Sequence, residues 1–221
     1  MKLFVSVLLA FILAFTAFAQ NEQAPMGEKA LIYKDWTYKA VQDDKEVNLR
    51  KASAGKKLVM VVYWAPWCPN WKYDAPFVQG LYDKYKSNGL EVIGVAEYDT
   101  LEKIRAHIAD RKLTFPIVYE SVASADREKT THFALRREAG DARKWGSPWY
   151  VFLDPAALEP QGEILTKKTQ IVNGELIRPD AEKFIRQKLG LDGPASGETA
   201  TSSKEIEVCE PEKKSAELKK P

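Results

Sequence analysis

Val61-Val62-Tyr63-Trp64-Ala65-Pro66-Trp67-Cys68-Pro69-Asn70-Trp71 joins the end of an apolar run to the start of a helical pattern, with one cysteine at the join. Upstream, Leu58 to Trp64 is apolar throughout, as expected of a strand covered on both faces in the middle of a sheet. Downstream, Phe77, Val78, Leu81, Tyr82 and Tyr85 recur at helical intervals until Ser87-Asn88-Gly89 stops the pattern. Pro69 fits the first turn of such a helix, where its missing N–H leaves no bond unmade. Cys68 therefore stands where unpaired N–H groups and the helix dipole favour a thiolate. The residue reads either as a reactive thiol or as a buried inert one, since free cysteine is among the most buried residue types.

Outward from this turn, strands and helices alternate. Leu31 to Tyr38 and Glu46 to Leu49 read as an N-terminal hairpin around the polar Gln42-Asp43-Asp44-Lys45. Leu90 to Ala96 is a second apolar strand, and Thr100 caps a helix running to about Arg111. Ile117 to Tyr119 is a short strand, and Lys129 to Glu138 a more polar helix. Trp149 to Leu153, closed by Asp154-Pro155, pairs with Glu163 to Val172, and Asp180 is expected to cap a last helix ending near Gly190. The sum is an α/β layered domain. A chain of 221 residues and 25.0 kDa suits one such core with extra segments.

The two ends differ from this core. Lys2, the apolar run Leu3 to Ala19 and the small-x-small triplet Ala17-Phe18-Ala19 have the layout of a secretory signal peptide, with an uncleaved anchor as the alternative. The expected organisation is signal 1–19, linker 20–31, domain 32–190 and a tail 191–221. The tail is rich in Gly, Pro, Ser, Thr, Glu and Lys without an aromatic residue, and is expected to be disordered. The mature protein is expected to be periplasmic or extracellular, with no stable membrane insertion. With 33 basic and 31 acidic residues the net charge is +2, and loss of Lys2 leaves +1, so nucleic acid is not an expected partner. No metal or other cofactor is expected, because His107 and His132 form no ligand spacing with Cys68 or Cys209 and read as surface or helix-end residues.

Trp64-Ala65-Pro66-Trp67-Cys68-Pro69 resembles the active-site turn of thioredoxin-fold proteins, nearest to their exported TlpA-like, redoxin type. Asp35 to Leu49 resembles that group's introductory hairpin, Pro76 its kinking helix proline, Phe115-Pro116-Ile117-Val118 its third core strand, and Gly146-Ser147-Pro148 its cis-proline loop. The match spans roughly 32 to 190. It implies a thioredoxin-like fold, a mixed central sheet flanked by helices, and thiol or disulfide groups of proteins and peptides as substrates.

The departures from the family bear on function. A disulfide oxidoreductase needs one thiolate to attack and a second thiol to release the mixed disulfide. Cys68 suits the first task, while Trp71 occupies the position of the second cysteine. Val62 stands where thioredoxins hold a buried aspartate. Asp74 stands where the exported subgroup carries a glutamate, and reads either as an acid serving the site or as a solvated helix residue. The resemblance accounts for Trp64 and Trp67 as packing and shielding of the cysteine. Trp71 either packs and blocks the site or offers a flat surface to a ligand. Trp67, Pro69, Trp71, Ser147 and Pro148 are the candidate substrate contacts, and the Ser147 backbone is expected to pair with an extended peptide. Cys209, on about 18 residues of tail beyond Leu191, has an r.m.s. reach of about 20 to 25 Å and is a candidate resolving thiol. The expected activity is single-cysteine thiol–disulfide chemistry at Cys68. The alternative is a redox-inactive binding module for a protein or peptide.

Overall fold

Leu58–Trp64 forms the strand that its apolar run predicts, with all seven residues buried. In chain order the strands are β1 (Gln23–Ala24), β2 (Gly27–Lys34), β3 (Thr37–Ala40), β4 (Glu46–Asn48), β5 (Leu58–Trp64), β6 (Leu90–Ala96), β7 (Ile117–Tyr119), β8 (Trp149–Leu153), β9 (Ile164–Val172) and β10 (Glu175–Leu176). The helices are α1 (Leu49–Ser53), α2 (Pro69–Tyr85), α3 (Leu101–Arg111), α4 (Thr131–Glu138) and α5 (Arg178–Leu189). This computed structural model describes residues 22–192; the expected leader, and the tail from 193 with Cys209, lie outside the described residues.

Eight strands form one sheet in the order β2-β9-β8-β5-β6-β7-β3-β4. β5, β6 and β7 run parallel and the remaining pairs antiparallel, so the sheet is mixed. Side-chain alternation along β5 divides the core. Met60, Val62 and Trp64 face a cluster with Trp71, Val78, Ile104 and Ile185 from α2, α3 and α5. Val59, Val61 and Tyr63 face a second cluster with Leu49 and Leu135 from α1 and α4. This layering is the thioredoxin-like arrangement, and it places the β5–α2 turn at the C-terminal edge of the central strands.

The expected N-terminal hairpin divides between two edges. β3 and β4 pair as predicted, but Leu31 to Lys34 belong to β2, which pairs with β9 on the opposite edge. Leu31 and Tyr33 are fully buried there, a long-range demand that local alternation does not reveal. Residues 23–31, expected as linker, are largely strand, with β1 pairing parallel to β10. Thr100 caps α3 as expected, its side chain accepting from the Lys103 N–H. Asp180 lies within the first turn of α5, after Pro179, and Ile177 occupies the cap. α4 begins at Thr131 after a 3-10 turn over Ser124–Lys129.

Candidate functional site

Cys68 is the N-cap of α2, with extended backbone angles of φ −69° and ψ 123°, and Pro69 follows in the first turn. Its N–H donates to Ala65 O at 3.0 Å and its carbonyl accepts from Lys72 N at 3.0 Å, so the residue is held on both sides. The thiol donates to the Ser147 carbonyl oxygen at 3.1 Å, and the Ser147–Pro148 peptide bond is cis. The Ser147 hydroxyl accepts from Ala65 N at 3.0 Å, which ties the loop directly to the cysteine turn. Cys68 is 6% exposed. It opens onto a groove of about 240 Å³ whose walls include Trp67, Pro69, Trp145 and Ser147.

Trp67 is exposed and meets Trp145 edge to face, ring centroids 5.1 Å apart. Trp145 is half-buried between Tyr98 at 5.5 Å and the guanidinium of Arg127 at 5.1 Å. It was not among the residues expected from sequence, because nothing local links it to a turn some 80 positions earlier.

The flat-surface reading of Trp71 is overturned. The side chain is fully buried, stacked on Trp64 at 5.2 Å, and its indole N–H donates to His107 Nε2 at 3.0 Å. An indole so enclosed cannot meet a peptide without leaving the core. His107, expected at the surface or at a helix end, is buried in the middle of α3, on the same inner face as Ile104. Burial, aided by Arg111 and Lys72, pushes its imidazole down to about 4, so the ring is neutral and free to accept. His132 stands at a helix end, in the first turn of α4, but is fully buried rather than at the surface, and burial with the nearby Arg136 holds it well below the usual histidine range.

Asp74 is fully buried, which removes its reading as a solvated residue. Its Oδ2 accepts from Tyr150 Oη at 2.7 Å and from Leu176 N at 2.8 Å, while Oδ1 has no partner. Burial pushes its carboxyl up, and those two donors and Arg178 only partly offset it. Tyr150 is also pushed up, chiefly by burial, then by Asp74 and more weakly by Glu175 and Cys68, so the phenol lies within electrostatic range of the thiol. Val62, in place of a buried aspartate, is fully buried in the same cluster. Among the described residues no group of three or more His, Cys, Asp and Glu is arranged to hold a metal ion.

Comparison with known proteins agrees with this geometry. The AhpC/TSA family matches residues 26–155. A thiol-disulfide oxidoreductase ResA from Oceanobacillus iheyensis is 36% identical over 64 residues, covering 29% of this chain and 33% of that protein. The ResA of Halalkalibacterium halodurans is 28% identical over 119 residues, covering 52% of this chain and 62% of that protein. This chain thus spans between a third and just under two thirds of the length of these relatives. The crystal structure of a thiol:disulfide interchange protein of the thioredoxin family from Chlorobium tepidum aligns with a TM-score of 0.52 at 17% identity, covering 73% of this chain and 98% of that one. With a cysteine at the N-cap of α2, a cis-proline loop against it and a family match over most of the sheet, this chain is a thioredoxin-like redoxin and belongs to the AhpC/TSA family.

Proposed function

We propose that this protein is an exported single-thiol exchange protein, in which Cys68 forms mixed disulfides with protein or peptide partners and dithiol reductase activity is weak or absent. The observation that carries this reading is the Cys68 thiol set 3.1 Å from the carbonyl that precedes cis-Pro148, at a helix start and beside an open groove. In the step, the Cys68 sulfur displaces one sulfur of a partner disulfide. A new S–S bond forms as the old one breaks, and the leaving sulfur takes up the proton that Cys68 gives up. Asp74 acts through Tyr150 as a local proton store, suited by its raised affinity for a proton. Trp67, Pro69, Ser147 and Pro148 contact the partner chain. Trp71 is excluded from that set by its burial. Release falls to a thiol outside the α2 turn, supplied by the partner, by a small thiol or by Cys209. Export rests on the leader-like residues 1–19; among the described residues no helix is long and apolar enough to cross a membrane.

The sealed Trp71 also favours a second reading, a binding module that uses the same groove without covalent exchange. Glutathione disulfide distinguishes the two. Full-length protein carrying Cys209→Ser is expected to gain one glutathionyl adduct by intact mass, and the further change Cys68→Ser to abolish it. An unmodified protein, under conditions where free cysteine reacts, overturns the exchange reading and leaves the binding one.

A further inference from the structure

Behind the sheet, on the side away from α2, the helix α4 presents two fully buried polar side chains one turn apart, His132 and Arg136. Both are directed at backbone carbonyls of the loop that carries Ser147. His132 Nε2 lies 3.1 Å from Gly146 O. A carbonyl only accepts, so Nε2 carries the proton and Nδ1 accepts from Tyr98 Oη at 2.8 Å. Arg136 donates to Arg143 O at 2.6 Å and to Lys144 O at 3.0 Å. The loop also rests on the stem of this arginine. A Cβ on Gly146, which has φ +59°, would lie 2.3 Å from Arg136 Cδ. Burying a guanidinium costs several kcal/mol unless its donors are used; here both terminal nitrogens are spent on the loop, while Nε has no partner.

The same helix is itself fixed. Glu120 accepts from Thr131 N at 2.5 Å and His132 N at 3.2 Å, and Thr130 Oγ1 accepts from Phe133 N at 3.0 Å. The His132 ring stacks on Tyr63 of β5, centroids 4.9 Å apart and 7° from parallel. Tyr98 adopts φ +65°, a conformation rare for an aromatic residue. It is held there by its N–H bond to Ser121 Oγ at 3.0 Å and by His132.

We propose that His132 and Arg136 are positioning residues, which clamp loop 141–147 from behind the sheet and set the Ser147 carbonyl against the Cys68 thiol, so that the resting cysteine is a hydrogen-bonded S–H. Only the use of that thiol in exchange rests on the function proposed above. The contact itself does not.

The test is the infrared S–H stretching band in full-length Cys209→Ser protein, where Cys68 is the sole thiol. A hydrogen-bonded S–H absorbs at lower frequency than a free one. His132→Ala is expected to shift the band upward and to speed alkylation of Cys68 by iodoacetamide. His132→Gln, which keeps a donor for Gly146, is expected to restore much of the wild-type band. Arg136→Lys keeps the charge but loses the fork, and is expected to shift the band in the same direction by less; it serves if His132→Ala does not fold. Leu135→Ala, on the same helix but touching no loop carbonyl, is the control for loss of packing and is expected to leave the band in place. A band unmoved by His132→Ala and Arg136→Lys, or moved equally by Leu135→Ala, overturns the clamp. A wild-type protein that forms no glutathionyl adduct yet shows the predicted shifts retains the clamp and removes the exchange function.

Discussion

Cys68 and Trp71, the N-cap and the third residue of α2, have opposite surroundings. Cys68 ends a strand beside a groove, with a carbonyl at 3.1 Å and an exposed tryptophan next to it. Trp71, three residues on, is enclosed by Trp64 and His107 with no surface left. The position that, by resemblance, would hold a resolving thiol is part of the core. Attack and resolution are therefore separable in physical terms, since a helix start supports the first without the second.

The largest expected effect comes from trying to restore the pair. Trp71→Cys removes a fully buried indole and leaves the His107 acceptor without its donor. Truncating a buried aromatic costs about 3–5 kcal/mol. We expect denaturant unfolding to show a loss of that size, with an unchanged slope, and no efficient insulin reduction. A Trp71→Cys protein as stable as the wild type and active as a dithiol reductase would show that the position is not core.

His107 gives the same comparison a pH signature. Its folded-state value, about 4, lies below the ordinary 6.5, so the native state binds the proton less readily than the unfolded chain. The stabilisation it contributes is complete above about pH 6.5 and is lost as pH falls toward 4, by roughly 3 kcal/mol at most. His107→Gln keeps an acceptor for the Trp71 N–H and does not titrate. The variant is expected to gain on the wild type as pH falls from 6.5 to 4. A constant difference across that range would mean that the ring is not neutral against Trp71.

The contrast also marks what the sequence makes visible. The cysteine turn, the central strands and the cis-proline loop are local patterns, with apolar runs, Pro69 and Gly146-Ser147-Pro148 carrying them. His107 is 36 residues from the indole it receives, and only its placement three after Ile104, on the buried face of α3, hints at an inward side chain. His132 repeats the case, three before Leu135 on α4. Leu31 to Lys34 alternate like the hairpin that follows them, yet pair with β9 across the sheet. Periodicity reports which face is buried, while the partner on that face depends on tertiary packing.

Asp74 lies on α2 beyond both positions and yields a smaller effect. Its carboxyl is pushed up by burial, so the native state holds the proton more tightly than the unfolded chain. Its contribution falls as pH rises through the ordinary carboxylate range, and the deficit is complete above the raised folded value. Asp74→Asn removes that deficit, keeps an oxygen for Tyr150 and Leu176, and replaces the unpartnered Oδ1. We expect a gain of about 1 kcal/mol at pH 7 that disappears near pH 3, together with slower mixed-disulfide formation at Cys68. Greater stability with unimpaired exchange would remove Asp74 from the proton path.

Trp67 closes the series from the attacking side. It is 36% exposed and makes one edge-to-face contact with Trp145, so Trp67→Ala is expected to cost no more than about 1 kcal/mol. That is a fraction of the cost at Trp71, although both are tryptophans on the same turn. Its chemical effect should be the more informative one. With the shield gone, Cys68 is expected to react faster with iodoacetamide, while a peptide disulfide flanked by apolar residues should be captured less efficiently than a polar one. Equal losses for both peptides would mean that the indole shields the sulfur without contacting the partner chain, and would leave Pro69 and the Ser147–Pro148 backbone to position the incoming disulfide.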